Sequence, residues 1–361
     1  MIRRVAIFGA GTMGGGIALT CIKAGLQTTV VDTSPAALVA LRGRIEAHLS
    51  REVQKARLTG DQADAAVECL TLSTAAGAAV SADLVIEAVF EDLRVKQDLL
   101  KRLEPTLRPD TIIATNTSCL LVRDVASVLD DPGRMLGLHY FSPAEVNPVV
   151  EVIAPPQSRP EVRQAALAFL SQTGKSALPC ADRPGFALNR FFCPFCNEAV
   201  RLLDEGIATT GQIDAMACAA FGLAAGPFRV MNLIKPAILL QAIQSLSPLG
   251  PNYTPAAGLQ AIAADAGRWT IEADPAVVPP DVARLLTERL TGAALAPALE
   301  ALAEGVVQAP DLDRGAKAAL RFERNPVVLR DTLPKAEVDR LVALATSPQK
   351  REDDGVRRLA T

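Results

Sequence analysis

A glycine-rich turn near the N-terminus constrains the fold more than any other feature of the sequence. The stretch "VAIFGAGTMGGGIA" places Gly9, Gly11 and Gly14 in a G-x-G-x-x-G pattern, directly after a short apolar run and before a helical one. Glycine at these positions permits a tight turn, close approach of the main chain to a pyrophosphate, and packing of the helix on the strand. The intervening Thr12 and Met13 would then meet a bound dinucleotide at the helix N-terminus. The turn therefore predicts a Rossmann-type unit.

A carboxylate completes the dinucleotide pattern. The next apolar run ends in "TTVVD", which places Asp32 21 residues beyond Gly11. At that spacing a carboxylate can accept hydrogen bonds from the ribose hydroxyls of an adenosine. Its charge would repel a 2′-phosphate, so the pattern favours NAD over NADP. Glycines that only make a turn are the alternative, and the strand, helix and carboxylate together disfavour it.

Apolar runs alternate with helical stretches through the first half of the chain, which is typical of a doubly wound α/β sheet. The predicted strands lie in "RRVAIFG", "TTVVD", "DLVIEAV", "TIIAT", "MLGLHYF" and "VVEVI", with a further short strand near Leu70. Parallel strands of such a sheet bind ligands at their carboxyl ends. The sequence therefore predicts a site along one edge of the sheet.

A longer helical stretch interrupts this alternation between Asp32 and Leu70. Its pattern predicts a helical hairpin that turns near Thr59 and Gly60. The first arm is rich in basic side chains, namely Arg42, Arg44, Arg51, Lys55 and Arg57. Two interpretations remain open, a solvated face or a surface that meets a phosphate-bearing ligand.

After "RPGF" the pattern becomes helical and repeats itself. A shift of 99 residues brings Glu205 onto Glu304 and Asp214 onto Asp313, which indicates a duplicated all-α region. We therefore predict a Rossmann-type domain at 1–183 and a helical substrate domain at 184–281. A degenerate second copy is expected at 282–346 and a flexible charged tail at 347–361.

Composition excludes several classes of protein. The formal charge is −3, from 37 basic and 40 acidic residues, which gives no global reason to expect nucleic acid. No apolar run reaches the roughly 20 residues of a membrane span, and the N-terminus does not read as a signal peptide, so we expect a cytoplasmic protein. The seven cysteines favour small core residues over disulfides, including the pair in "CPFC". With two histidines, no metal site is expected.

One of those histidines stands in "LHYFSPAEVNPVVEV", where His139 ends one apolar run and Glu151 lies inside the next. Imidazole can exchange a proton near neutral pH, and a nearby carboxylate can orient the ring. From the residues alone, a lone histidine at a strand end is more often structural than catalytic.

Several segments, in order, are similar to those of the L-3-hydroxyacyl-CoA dehydrogenase family. They are "GAGTMGGGIA", "DLVIEAVFEDLRVKQDL", "TNTSCL", "GLHYFSPAEVNPVVEV", "RPGFALNR" and "IDAMACAAFGLAAGPF". Ser142 in "HYFSP" and the duplicated helical region resemble the dehydrogenase part of multifunctional β-oxidation enzymes most. The resemblance implies NAD-dependent, reversible oxidation of L-3-hydroxyacyl-CoA to 3-ketoacyl-CoA in fatty-acid metabolism.

The resemblance also implies roles for individual residues. His139 would be the general base and Glu151 would orient it, while Ser118 and Asn189 would hydrogen-bond the substrate. Glu91, Lys96 and Asn116 match positions near the nicotinamide and would belong to the cofactor-binding residues. Their alternatives are turn capping and a surface ion pair.

Two features depart from the family pattern. Asn232 and Lys235 replace the usual Asp-x-x-Gly after "GPF", which puts the acyl preference in question. Glu288 stands where the second copy would repeat Asn189, so we expect that copy to be structural. The alternatives to the expected activity are a related hydroxyacid or sugar-acid dehydrogenase and a catalytically silent NAD-binding scaffold. The expected partners are acyl-CoA and other β-oxidation enzymes, with the chain a monomer or a homodimer.

Overall fold

The computed structural model of the chain describes residues 1–346 and contains two compact units. The first runs from Met1 to Asp182 and contains all the strands found in the described residues; the second begins at Arg183 and is helical. The predicted order, an α/β unit followed by an all-α region, is confirmed. The predicted tail at 347–361 lies outside the described residues.

One eight-stranded sheet forms the centre of the first unit. Its strands are β1 (Arg4–Phe8), β2 (Gln27–Val31), β3 (Leu70–Ser73), β4 (Leu84–Glu87), β5 (Ile112–Thr115), β6 (Met135–Tyr140), β7 (Val149–Ile153) and β8 (Ser176–Cys180). The order across the sheet is β3-β2-β1-β4-β5-β6-β7-β8. Neighbours are parallel except β6 and β7, which are antiparallel. The order reverses between β1 and β4, so the ligand crevice is expected at their carboxyl ends.

The edge strand β8 has no counterpart among the predicted strands. Only Leu178 in its centre is fully buried, and Pro179 interrupts the apolar pattern. Proline lacks the N–H group that a central strand must donate, so it argues against a strand in sequence reasoning. At the edge of this sheet β8 pairs on one side only, with β7, and the proline is tolerated there.

Helices pack against the sheet. They are α1 (Thr12–Lys23), α2 (Pro35–Gln54), α3 (Gly60–Glu68), α4 (Leu93–Leu103), α5 (Val122–Ala126) and α6 (Pro160–Gln172). Strand β1 shows why both faces are covered, because Val5 and Ile7 join one apolar cluster whereas Ala6 and Phe8 join another. Such burial on both sides is typical of a parallel sheet.

The predicted helical hairpin is formed by α2 and α3. Ser34 caps the N-terminus of α2, where its side-chain oxygen accepts a hydrogen bond from the Ala37 amide at 3.2 Å. Thr59 and Gln62 begin α3 with a reciprocal cap, in which each side chain bonds the main chain of the other residue. The turn near Thr59 and Gly60 is therefore confirmed.

The second unit contains nine α-helices within its described residues. They are α7 (Asn189–Asp204), α8 (Thr210–Phe221), α9 (Pro227–Ile234), α10 (Pro236–Leu246), α11 (Ala257–Ala264), α12 (Pro280–Ala303), α13 (Ala309–Leu320), α14 (Pro326–Thr332) and α15 (Lys335–Thr346). As far as residue 346, no helix combines the length and the apolar character needed to cross a bilayer.

Helix boundaries repeat at the interval found in the sequence. Helices α8 and α13 begin and end 99 residues apart, and α9 and α14 begin 99 residues apart, as do α10 and α15. Gly206 and Gly305, also 99 residues apart, follow α7 and α12 with the same φ of 68°. Helix α12 begins at Pro280, so the proposed boundary between 281 and 282 lies in its first turn. That boundary stays a prediction.

Aromatic and ionic contacts join the two helical repeats. Phe322 packs its ring against Phe195 and Phe221, with ring centroids 5.2 Å apart in both pairs. The Arg190 guanidinium, 1% exposed, donates to Glu304 at 2.6 Å. Arg289, 4% exposed, donates to Glu198 at 2.7 Å. Because breaking a buried ion pair is costly, these contacts tie the repeats to each other.

Candidate active site

The glycine turn joins β1 to α1, and each glycine has a different surrounding. Gly9 has a φ of +111°, which side chains rarely adopt, and a Cβ there would stand 2.5 Å from the Ala88 carbonyl oxygen. A Cβ on Gly14 would overlap the Gly9 carbonyl oxygen. Around Gly11, in contrast, nothing lies within 4 Å of an added Cβ. The protein itself requires Gly9 and Gly14, whereas Gly11 faces open space.

That open space belongs to a cavity of about 890 Å³, which extends from the glycine turn along the ends of β1, β2 and β4. Thr12, Met13 and Asp32 line it together with the exposed ring of Phe90. The volume is within the usual range for small-molecule and cofactor sites. Open main chain at a helix N-terminus, with a carboxylate at the end of the next strand, fits a dinucleotide such as NAD.

Asp32 also holds the turn in place. Its Oδ2 accepts a hydrogen bond from the Ala10 amide at 2.7 Å, and its Oδ1 accepts one from the Ser34 amide at 2.9 Å. Arg44 supports the same turn from α2 by donating to the Ala10 carbonyl oxygen at 2.8 Å. Sequence reasoning had placed Arg44 only among the basic residues of the hairpin. Its reach back to the turn depends on how α2 packs, which no local pattern reports.

His139 and Glu151 face each other across the antiparallel strands β6 and β7, where they are paired in register. Nδ1 of the imidazole and Oε2 of the carboxylate are 2.6 Å apart. The two residues are 4% and 0% exposed. The Phe141 ring lies 4.5 Å from the imidazole, measured between ring centroids. A short, buried, charge-assisted contact of this kind fixes the ring orientation and presents the Nδ1–H tautomer to the carboxylate.

The carboxyl ends of β4 and β5 carry a buried network of charges. Lys96, on α4, donates to both oxygens of Glu87 at 2.8 and 3.0 Å and lies 3.1 Å from Glu91. Burial opposes the charge on Lys96, but Glu87 and Glu91 together hold its pKa above the usual lysine value. The surface ion pair considered from the sequence is therefore wrong for Lys96, which is 1% exposed.

Glu91 reaches from this network to the turn that carries Ser118. Its Oε1 accepts hydrogen bonds from the Thr117 hydroxyl at 2.5 Å and from the Ser118 and Cys119 amides at 2.6 and 3.0 Å. Burial opposes ionisation of Glu91, but Lys96 and these hydrogen bonds hold its pKa below the usual value. Glu91 therefore caps the turn as a carboxylate, which was one of the two roles considered from the sequence.

Asn116 connects three strands at the same edge of the sheet. Its main-chain N–H donates to the Glu87 carbonyl oxygen at 2.8 Å, and its side-chain Oδ1 accepts a hydrogen bond from the Tyr140 main-chain N–H at 2.9 Å. Tyr140 directly follows His139, so Asn116 fixes the end of the strand that carries the histidine. Of the predicted site residues, Glu91, Lys96, Asn116, Ser118, His139 and Glu151 all belong to the sheet unit.

Asn189 belongs to the second unit, where it is the half-buried first residue of α7. Its counterpart Glu288 lies on α12 and forms an ion pair with Arg340 at 3.2 Å. Asn232 is bonded to the main chain of Trp269 in both directions, at 2.8 and 3.0 Å. This departure from the family pattern therefore anchors the segment before α12 to α9.

Lys235 directly follows α9 and has a φ of +78°, a backbone conformation that favours glycine. A glycine is usual at this position in the family that the sequence resembles. The lysine therefore carries backbone strain at the junction of α9 and α10.

Glu87 is the residue of this network that sequence reasoning missed. It is the last residue of β4 and is 0% exposed. The signal for it was a carboxylate inside the apolar run "DLVIEAV", since a buried strand rarely carries an unpaired charge. Within residues 1–346, no cluster of three or more histidine, cysteine or acidic side chains could hold a metal ion.

Family models match both units. The model described as 3-hydroxyacyl-CoA dehydrogenase, NAD binding domain, matches residues 4–183, and the one described as the C-terminal domain matches residues 185–268. The 3-hydroxybutyryl-CoA dehydrogenase of Mycobacterium tuberculosis strain H37Rv is 35% identical over 235 residues, which are 64% of this chain and 82% of the relative. The mitochondrial hydroxyacyl-coenzyme A dehydrogenase of Mus musculus is 31% identical over 273 residues, 73% of this chain and 87% of the relative.

Solved structures give the same result. The (S)-3-hydroxybutyryl-CoA dehydrogenase of Ralstonia eutropha has a TM-score of 0.71 at 33% identity and covers 74% of this chain and 96% of its own. The 3-hydroxybutyryl-CoA dehydrogenase of Escherichia coli K12 has a TM-score of 0.85 over 95% of this chain and 94% of its own; at 24% identity this likeness concerns the fold. Since both domain models match in order and the relatives are matched over most of their length, the chain belongs to the 3-hydroxyacyl-CoA dehydrogenase family of NAD-dependent oxidoreductases.

Proposed function

We propose that the chain catalyses the reversible oxidation of short-chain L-3-hydroxyacyl-CoA to 3-ketoacyl-CoA, with His139 as the general base. The observation that carries this proposal is the buried contact of 2.6 Å between His139 Nδ1 and Glu151 Oε2. Relatives named 3-hydroxybutyryl-CoA dehydrogenase make the four-carbon thioester the first substrate to test.

The imidazole receives the proton of the substrate hydroxyl. Because Glu151 binds Nδ1, Nε2 is the ring nitrogen that accepts this proton. As the O–H bond breaks, the electron pair forms the C3 carbonyl, and the carboxylate stabilises the resulting imidazolium. NAD, when bound, supplies the oxidising power by accepting hydride from C3. In the reverse direction the imidazolium returns the proton.

Ser118 and Asn189 hold the substrate oxygens in this proposal. The Ser118 turn is fixed by three hydrogen bonds to Glu91, a geometry that supports a preorganised donor. Asn116 supports the adjoining end of β6 through Tyr140. Asp32 and the glycine turn bind the adenosine half of NAD in this proposal. Glu91 and Asn116 are assigned to its nicotinamide half, where the buried Lys96 holds Glu91.

The basic first arm of the hairpin, α2 with the turn that follows it, is proposed to meet the phosphates of coenzyme A. Arg42 and Arg57 form ion pairs with Glu46 and Glu52 at 3.7 and 3.2 Å. In the described part of the chain no ion pair involves Arg51 or Lys55. These two cations are the first candidates for the phosphates.

We further propose a cytoplasmic protein of fatty-acid β-oxidation that works beside other enzymes of that sequence of reactions. It is expected to be a monomer, because the second helical repeat covers the aromatic side chains of α7 and α8. Light scattering after gel filtration tests this, and a homodimer would contradict it.

NADH oxidation measured with 3-ketoacyl-CoA thioesters of four to sixteen carbons tests the proposed reaction. The highest kcat/KM is expected for acetoacetyl-CoA, and NADPH is expected to be a poor substitute. Free 3-hydroxy acids and sugar acids serve as a parallel series with NAD. Turnover of that series in the absence of any thioester activity would overturn the proposal.

A further inference from the structure

Glu87 is fully buried at the carboxyl end of β4, and both of its oxygens are fully occupied by hydrogen-bond donors. Its two oxygens accept hydrogen bonds from Lys96 at 2.8 and 3.0 Å, from the Thr115 hydroxyl at 2.6 Å and from the Val89 amide at 2.8 Å. A carboxylate bound in this way has no free lone pair for a substrate. Any effect of Glu87 on the reaction must therefore act through its neighbours.

Lys96 connects Glu87 to Glu91. Its ammonium group lies between two carboxylates and contacts Oε1 and Oε2 of Glu87 and Oε2 of Glu91. Glu91 uses its other oxygen, Oε1, for the turn at Thr117, Ser118 and Cys119. The orientation of the Glu91 carboxylate is therefore set from both sides, by Lys96 on one and by the turn on the other.

We infer that Glu87 is a positioning residue, which holds the Lys96 ammonium so that Glu91 keeps the Ser118 turn in its working geometry. Without the charge on Glu87, Lys96 would have Glu91 as its nearest remaining counter-charge and would draw that carboxylate away from the turn. Because Glu87 and Lys96 are fully buried, water does not replace the lost charge beside the ammonium group. This inference rests on the proposed role of Ser118.

The test is a double-mutant cycle in the full chain, with kcat for 3-hydroxybutyryl-CoA oxidation as the readout. Glu87→Gln keeps the shape of the side chain and removes its charge, and we expect kcat and kcat/KM to fall together on the order of 10- to 100-fold. Ser118→Ala is made in the wild type and in Glu87→Gln. If Glu87 acts through Ser118, the second substitution costs far less in the Glu87→Gln background.

Glu104→Gln is the matched control. Glu104 is also buried in the first unit and accepts hydrogen bonds from Arg134 at 3.0 Å and from the amides of Asp130 and Asp131. It lies at the opposite edge, where β5 and β6 begin. We expect this variant to lose thermal stability as Glu87→Gln does, while its kcat stays within about twofold of the wild type.

A folding defect does not leave the inference untested. If Glu87→Gln does not fold, it is replaced by the double variant Glu87→Gln/Lys96→Met. This variant removes both buried charges, an exchange that proteins often tolerate. The cycle is then run on that background. Wild-type kcat in a folded Glu87 variant, or losses that multiply independently, would overturn the inference. If Ser118→Ala alone keeps wild-type kcat, the proposed role of Ser118 fails and the inference with it. A wild-type chain without thioester turnover would instead refute the proposed function.

Discussion

Replacing Gly11 by alanine separates cofactor binding from folding. An alanine Cβ at Gly11 meets no protein atom within 4 Å, and the residue has an ordinary φ of −70°. Two small effects on stability oppose each other, since alanine restricts the unfolded chain but is a poorer helix N-cap than glycine. We therefore expect the free energy of unfolding to change by less than about 1 kcal/mol.

NAD affinity should respond much more strongly. The added methyl enters the cavity where the main chain must approach the pyrophosphate, and overpacking typically costs 1–3 kcal/mol. With a tenfold change in Kd for each 1.4 kcal/mol, NAD should bind about 5- to 150-fold more weakly. Isothermal titration of the purified chain measures this directly, without reference to turnover.

Two further glycines provide the controls. Gly14→Ala should unfold at a clearly lower temperature, because its Cβ would overlap the Gly9 carbonyl oxygen. Gly43→Ala, on α2, also meets nothing within 4 Å but does not line the cavity, so it should stabilise the helix and leave the NAD Kd unchanged. Wild-type NAD affinity in Gly11→Ala would refute the assignment of this cavity to the cofactor.

Four further outcomes are expected. His139→Gln should lower kcat by roughly a hundredfold or more and leave the NAD Kd unchanged, and wild-type kcat would refute its role as base. Asp32→Ala should weaken NAD binding about tenfold or more in the same titration, whereas Asp83→Ala, which also removes two hydrogen bonds to main-chain amides, should not. Burial opposes ionisation of Asp83, but hydrogen bonds from two amides and from arginine hold its pKa at about 2. Its contribution to stability is therefore present above about pH 4 and is lost as the pH falls towards 2, so Asp83→Ala should flatten acid unfolding curves in that window. Glu288→Ala should keep wild-type kcat and shift the unfolding temperature little, since its partner Arg340 is half exposed.

Local patterns predicted the parts of this molecule that depend on local chemistry. The strand, turn and helix around Gly9 and Gly11 follow from backbone requirements that few residues besides glycine can meet. The hairpin between α2 and α3 follows from the caps at Ser34 and Thr59. These elements lie where the sequence predicts them because each is specified by residues close together in the chain.

What the sequence could not predict depends on packing between distant segments. Glu87 and Lys96 are nine residues apart, and their contact follows from how α4 packs against the end of β4. Strand β8 needs its neighbour β7, because Pro179 and half-buried side chains weaken its own pattern. Asn232 can donate its hydrogen bond to Trp269 only when the segment before α12 folds back onto α9.

The helical repeat has a consequence for how this protein behaves on dilution. A surface completed by a separate subunit is lost when the protein concentration falls below the dissociation constant. Here α12 to α15 are covalently joined to α7 to α11. The effective concentration of one copy at the other is therefore set by the connecting chain, and it is in the millimolar range for short flexible linkers. The contacts of Phe322 and Arg289 with the first repeat are thus independent of how much protein is present. The two helical repeats therefore stay packed together even at nanomolar enzyme concentrations.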